Sequence, residues 1–228
     1  MATRYEMLPD SLVLRSSQRS MRLRPISPHC VRVTLAQGDF AADGTLSVAA
    51  TSVNGAPPSW DLRETDQAWE LSTDHFSACV CRKTEAIAWT TPLGLPIARM
   101  GRPELRATGE SFNGTIPFCW TPDEALYGLG QHPGGLGNLR RSVQHLYQHP
   151  QKVALPVLLS SAGYCIFLDA ASHVTFRDDQ YGSELWADCI SQLDFYVIFG
   201  PDFADIMREL RSLIGRVPMI PRWLLGYQ

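Results

Sequence analysis

The chain has 228 residues, 45% of them hydrophobic and 19% charged, which is ample material for a sizeable core and within the range of a single all-β domain. A net charge of −3 and a pI near 6.1 leave no basic excess, so nucleic acid is not expected as a partner. No window approaches the roughly 18 to 20 apolar residues of a membrane span, and the start lacks a signal peptide's basic region and apolar run. No membrane partner is expected, and the expected location is cytoplasmic.

Residues 1–28, with Pro9, Pro25 and Pro28 among Ser and Arg, read as an arm or edge strand, and Arg15, Arg19, Arg22 and Arg24 as its solvated charges. A β-sandwich is expected over 29–200, because the apolar period is two throughout. Val31 to Leu35 alternates, and Phe76 to Cys81 continues the pattern. Asn54-Gly55 and Asn113-Gly114 are tight-turn dipeptides, since Asn and Gly tolerate positive φ best. Lys152 to Leu159 and Tyr164 to Asp169 are apolar runs split by Ser-Ser-Ala-Gly, a hairpin. Phe195 to Phe199 is a strand stopped by Gly200-Pro201.

Over 201–222 a helix and linker are expected. Phe203, Ile206, Met207, Leu210, Leu213 and Ile214 share one face of a 3.6-residue period, with Asp202 and Asp205 at the start and Gly215 at the stop. Pro218 and Pro221 enforce an extended connector. The apolar run at 223–228, WLLGYQ, then reads as a short buried strand whose sheet is missing from the chain.

The six cysteines are scattered through apolar strands, as expected for reduced core thiols; Cys79 and Cys81, two apart, share a face without bridging, and no second paired motif supports zinc. The segment Gln131 to Pro150 is the functional candidate, because a connection of this length is uncommon in a compact domain. It carries His132, Asn138, Arg140, Arg141, Gln144, His145, Tyr147, Gln148 and His149, donors and acceptors plus an aromatic, the equipment that holds sugar hydroxyls. Sharper readings of this region fail. Gly128-Leu129-Gly130 followed by Gly134 has one residue too many for a dinucleotide fingerprint, and His145 and His149 lack the Glu and third ligand of a zinc helix. Asn113-Gly114-Thr115 is a glycosylation sequon, which matters only in a secreted protein. No cofactor and no metal are expected.

Three motifs carry a family resemblance. Tyr127-Gly-Leu-Gly-Gln131, the run Leu155 to Tyr164, and the junction of strand, P-D-F-A-D-I helix start, L-I-G-R-V-P exit and L-G-Y-Q resemble glycoside hydrolase family 31 from about Val31 to Gln228. The chain looks closest to the bacterial α-xylosidase and α-glucosidase branches. It departs at Cys165, where the family usually has Gly, and at Arg141, near a common Arg-Gly pair.

The resemblance implies an all-β, galactose-mutarotase-like supersandwich with a C-terminal helix and the first strand of a truncated (β/α)8 barrel. It implies a retaining α-glycosidase whose two catalytic Asp residues, roughly 5 Å apart, lie beyond Gln228. The chain itself is then a non-catalytic module without catalytic residues, expected to hydrolyse nothing alone. Adjacent Asp178 and Asp179 point oppositely on an extended chain and cannot supply that pair; with Arg177 they read as a charged turn. By resemblance the 131–150 loop reaches toward an α-linked oligosaccharide or α-glycoside, with His132, Asn138, Arg140, Arg141 and Gln148 as substrate-binding residues. An apolar patch, where helix and WLLGYQ would meet the missing barrel, is expected to cause self-association or a homo-oligomer. The competing readings are a free-standing carbohydrate-binding module and mutarotase-like epimerisation, the second suggested by fold alone.

Overall fold

The computed structural model describes residues 4–17, 19–41, 47–48 and 57–226. The strands are, in chain order, β1 (Arg4–Leu8), β2 (Ser11–Arg15), β3 (Ser20–Ser27), β4 (Cys30–Ala36), β5 (Asp61–Glu64), β6 (Ala68–Ser72), β7 (Ser77–Cys81), β8 (Ile87–Thr90) and β9 (Pro96–Met100). There follow β10 (Glu104–Thr108), β11 (Ser111–Phe118), β12 (Leu126–Gln131), β13 (Val143–Leu146), β14 (Val153–Ser160), β15 (Tyr164–Leu168), β16 (Val174–Asp179), β17 (Gly182–Ile190) and β18 (Leu193–Phe199). Among the described residues a single α-helix, α1 (Phe203–Ile214), follows the last strand.

Two antiparallel sheets face one another. The first has eight strands in the order β1-β2-β3-β4-β18-β15-β14-β12; the second has ten, in the order β13-β16-β17-β11-β9-β8-β7-β6-β5, with β10 paired to β11. The sandwich is closed by a long-range pairing, β18 inserting between β4 and β15 so that Val197 faces Val31 and Ile166. Alternation then fills the core: Val31, Val33, Leu35, Ile166, Leu168, Phe195 and Val197 point inward against Trp69, Trp89, Ile116, Phe176 and Leu185.

The first sheet is also buried on its outer face. Ile206, Leu210 and Leu213 of α1 pack on Cys30, Cys165, Phe167, Tyr196 and Ile198, which is why β15 and most of β18 lack an exposed alternate row. Asp202 caps the helix, its carboxylate accepting from Asp205 N–H at 2.8 Å. Beside this layer Arg32, wholly buried, forms a two-pronged ion pair with Asp194, which also accepts from Thr34 and Gln192.

Several expectations are corrected. Segment 1–28 supplies three strands, of which only β1 is an edge; Leu12, Leu14 and Leu23 lie in the core. Asn113-Gly114 is no turn but sits within β11, and the glycine is there because a Cβ would meet Ile190 Cδ1 at 2.6 Å and Leu193 Cδ1 at 2.8 Å. Asn54-Gly55 lies outside the described residues. Only Cys30 and Cys165 are buried; Cys79 and Cys81 are half-buried and Cys119 and Cys189 exposed, all as free thiols. Asp178 is buried, not part of a solvated turn, while Asp179 at the hairpin end faces out.

Where a strand is expected from Trp223, the structure holds one 3-10 turn over Arg222–Leu225. An extended strand needs a neighbour to complete its hydrogen bonds, and no described strand lies beside it. No helix among the described residues is long and apolar enough to cross a membrane.

Candidate functional site

The Tyr-Gly-Leu-Gly-Gln motif folds as the end of β12, with Gly128, Leu129 and Gly130 in succession at φ of 99°, 60° and 92°. Opposite them β14 carries two extra residues, because Gly128 pairs with Leu158 and Gly130 with Ala154. A Cβ at Gly128 would lie 2.4 Å from the Val157 carbonyl oxygen, and one at Gly130 would lie 1.9 Å from that of Val153. Both glycines are required by close backbone approach as well as by positive φ.

The chain leaving β12 is not the free loop expected. It crosses to the second sheet, where β13 pairs with β16, and returns at a turn in which His149 and Lys152 bridge. Leu139 and Leu146 fix this excursion in the core. Four of the five candidate residues are committed to holding its shape. His132 Nε2 lies 2.8 Å from the Leu129 carbonyl, and its Nδ1 is buried without a partner among the described residues. Asn138 Oδ1 accepts from Leu126 N–H at 3.0 Å and Arg140 N–H at 3.1 Å. Gln148 Oε1 accepts from Ala154 N–H at 3.1 Å.

Arg140 is the centre of a larger node. Its guanidinium donates to Asp178 at 2.9 Å and to the carbonyls of Thr121 at 3.0 Å and Glu124 at 2.9 Å. Asp178 also accepts from Arg141 N–H at 2.7 Å and from Ser183 Oγ. Burial pushes the Asp178 carboxyl up, but the hydrogen bonds from Ser183, Arg141 and Arg140 outweigh it and hold the group below the ordinary carboxylate range. Glu124, also buried, accepts from Ser160 and Tyr164 through one oxygen and from Thr121 through the other. Burial, then the nearby Glu124 charge, pushes the Tyr164 phenol well above its usual value, so it stays a donor.

Arg141 alone presents an uncommitted side chain: it is exposed and has no side-chain partner among the described residues. Its backbone sits at φ 59°, the left-handed region that favours glycine, and the Asp178 bond to its N–H holds it there. Glu124 and Asp178 escaped the reading of candidate residues. The Thr121-x-x-Glu124 spacing of a capping box was the available signal for the first, here closing a turn rather than a helix. His145 and His149 do not converge: His145 stacks on His173 and His149 lies against Tyr147. Among the described residues no three His, Cys, Asp or Glu side chains are grouped to hold a metal ion.

The base of this excursion adjoins a second feature. Tyr127 of β12 meets Phe203 of α1 edge to face, with ring centroids 5.8 Å apart. From Phe203 an uncovered apolar strip continues through Met207 and Ile214 to Val217, Met219, Trp223 and Leu225, Met219 being 96% and Trp223 76% exposed.

No family model matches the chain. The α-xylosidase of Saccharolobus solfataricus is 30% identical over 126 residues, 51% of this chain and 17% of that protein. Among solved structures, a GH31 α-xylosidase from a soil metagenome complexed with xylose superposes with a TM-score of 0.85 at 19% identity, covering 98% of this chain and 36% of that one. The GH31 dextranase of Flavobacterium johnsoniae, as a D412A mutant complexed with isomaltotriose, gives 0.83 at 19% identity over 99% of this chain and 29% of that one. The chain thus spans well under half the length of these relatives.

Proposed function

From the assignment of this β-sandwich region to glycoside hydrolase family 31, which its sequence relatives and structural neighbours support, we propose that the chain is the non-catalytic module of a retaining α-glycosidase. It carries a catalytic (β/α)8 barrel on the apolar strip of α1 and lends segment 131–150 to a site for an α-linked oligosaccharide or α-glycoside. The observation that carries this reading is the uncovered apolar side chains of α1 and the residues after it, which begin at Phe203 against Tyr127 of β12, the strand that leads into the segment. Arg141 is the direct substrate contact, and His132, Asn138, Arg140 and Gln148 set the shape of the segment around it.

Glu124, Asp178 and Asp194, the buried carboxylates among the described residues, are each engaged by several donors of the fold, which fits a structural role for these three. The same bonds occupy Glu124, which is thereby a poor partner for an epimerising histidine. A free-standing saccharide-binding module is the second reading, favoured by an open aromatic groove beside β13.

Sedimentation velocity tests the strip. The wild-type chain is expected to self-associate, and the double variant Met207→Glu, Trp223→Glu to run as a monomer, because charge on an apolar interface opposes its burial. A wild-type chain that is monomeric at high concentration would remove the support for a docking face.

A further inference from the structure

Beside the segment's return turn lies a groove of about 420 Å³, walled by Tyr147, Gln148, Pro156, Ala171, Ser172 and His173. Two of its lining rings, Tyr147 and His173, lie 6.3 Å apart, and Trp186, outside the lining, meets His173 edge to face at 6.1 Å. Tyr147 is 53% exposed although the Lys152 ammonium lies 4.7 Å from its ring centroid, so the ring is supported from one side and open to solvent elsewhere. Lys152 is itself buried and donates to the His145 carbonyl, which anchors that support.

The lining has no Asp, Glu, Lys or Arg. It does have unused hydrogen-bonding capacity: with Gln148 Oε1 on Ala154, the amide nitrogen is left without a partner among the described residues. A ligand matched to this surface is uncharged, has an apolar face to lie on an aromatic ring, and carries hydroxyls at its edge.

We propose that this groove binds a neutral saccharide, its ring laid on Tyr147 and bounded by His173, with a hydroxyl bonded to Gln148 Nε2. The inference takes its ligand class from the glycosidase reading, and the groove uses only residues of this chain.

The test is calorimetric titration of the 228-residue chain with isomaltotriose. Binding is expected for the wild type, weakened at least about tenfold by Tyr147→Ala as the ring is lost, and held within about twofold by Tyr147→Phe, which keeps it. His173→Ala is expected to weaken binding too, and Tyr181→Ala, at an exposed side chain outside the groove, to leave it unchanged. Thermal melts establish that each variant is folded, and His173→Ala serves if Tyr147→Ala is not. Absence of binding by the wild type, or equal binding by folded Tyr147→Ala and His173→Ala, overturns the groove assignment. Neither result touches the module reading, which is tested by hydrolysis.

Discussion

Asp178 shows how a residue in a candidate site can serve the fold instead. Its carboxylate ties Arg140, the Arg141 backbone and Ser183 together, and its folded pKa is lowered. A depressed folded value means that the charged group contributes stability above its unfolded pKa near 4, and that this contribution is lost as pH falls through the folded pKa. Urea denaturation of Asp178→Asn is therefore expected to show a variant less stable than wild type at neutral pH, with the gap closing below about pH 4. A gap unchanged at about pH 3 would mean that the charge is not its source. Neighbouring Arg141, which stands near a common Arg-Gly pair of the family, occupies a left-handed backbone position that glycine would adopt more readily. The other departure, Cys165, is also structural: its thiol fills space beneath α1, and burial pushes its pKa up to about 12.

At the scale of elements, α1 shows what hydrophobic periodicity reveals and what it leaves out. The spacing of Phe203 to Ile214 places the helix correctly, with its cap and stop. It cannot divide the apolar face, of which Ile206, Leu210 and Leu213 are buried on the sheet and Phe203, Met207 and Ile214 are uncovered. Leu210→Ala is expected to destabilise the chain by about 2 to 4 kcal/mol through the cavity it leaves, and Met207→Ala by less than about 0.5 kcal/mol, as measured by urea denaturation. Similar costs for the two would mean that the helix is docked differently. Strands were legible where alternation is strong, as in β4 and β7, or where a β-branched and aromatic run meets a Gly-Pro stop, as in β18. They were illegible in β2, β3 and β13, where Pro and Arg or a short length mask a buried row that only a distant partner strand completes. Asn113-Gly114 misled for the same reason, since a glycine needed for close packing looks locally like one needed for a turn. In the candidate site the residue types were legible, but their hydrogen-bond partners lie up to 38 positions away and spacing does not reveal them.

At the scale of the whole molecule, the sandwich is complete in its inner core and leaves apolar side chains uncovered along α1 and the residues after it, starting at Phe203 against Tyr127. Its buried carboxylates, Glu124, Asp178 and Asp194, are engaged in structural bonds, and the proposal gives the chemistry to a barrel and the support to this chain. The most direct measurement is hydrolysis of p-nitrophenyl α-xyloside and p-nitrophenyl α-glucoside by the 228-residue chain alone and by the same chain joined to a family 31 barrel. The account predicts no turnover above buffer from the chain alone and cleavage of at least one substrate by the joined protein. Turnover by the chain alone, or a joined protein no more active than the barrel without its sandwich, would contradict it.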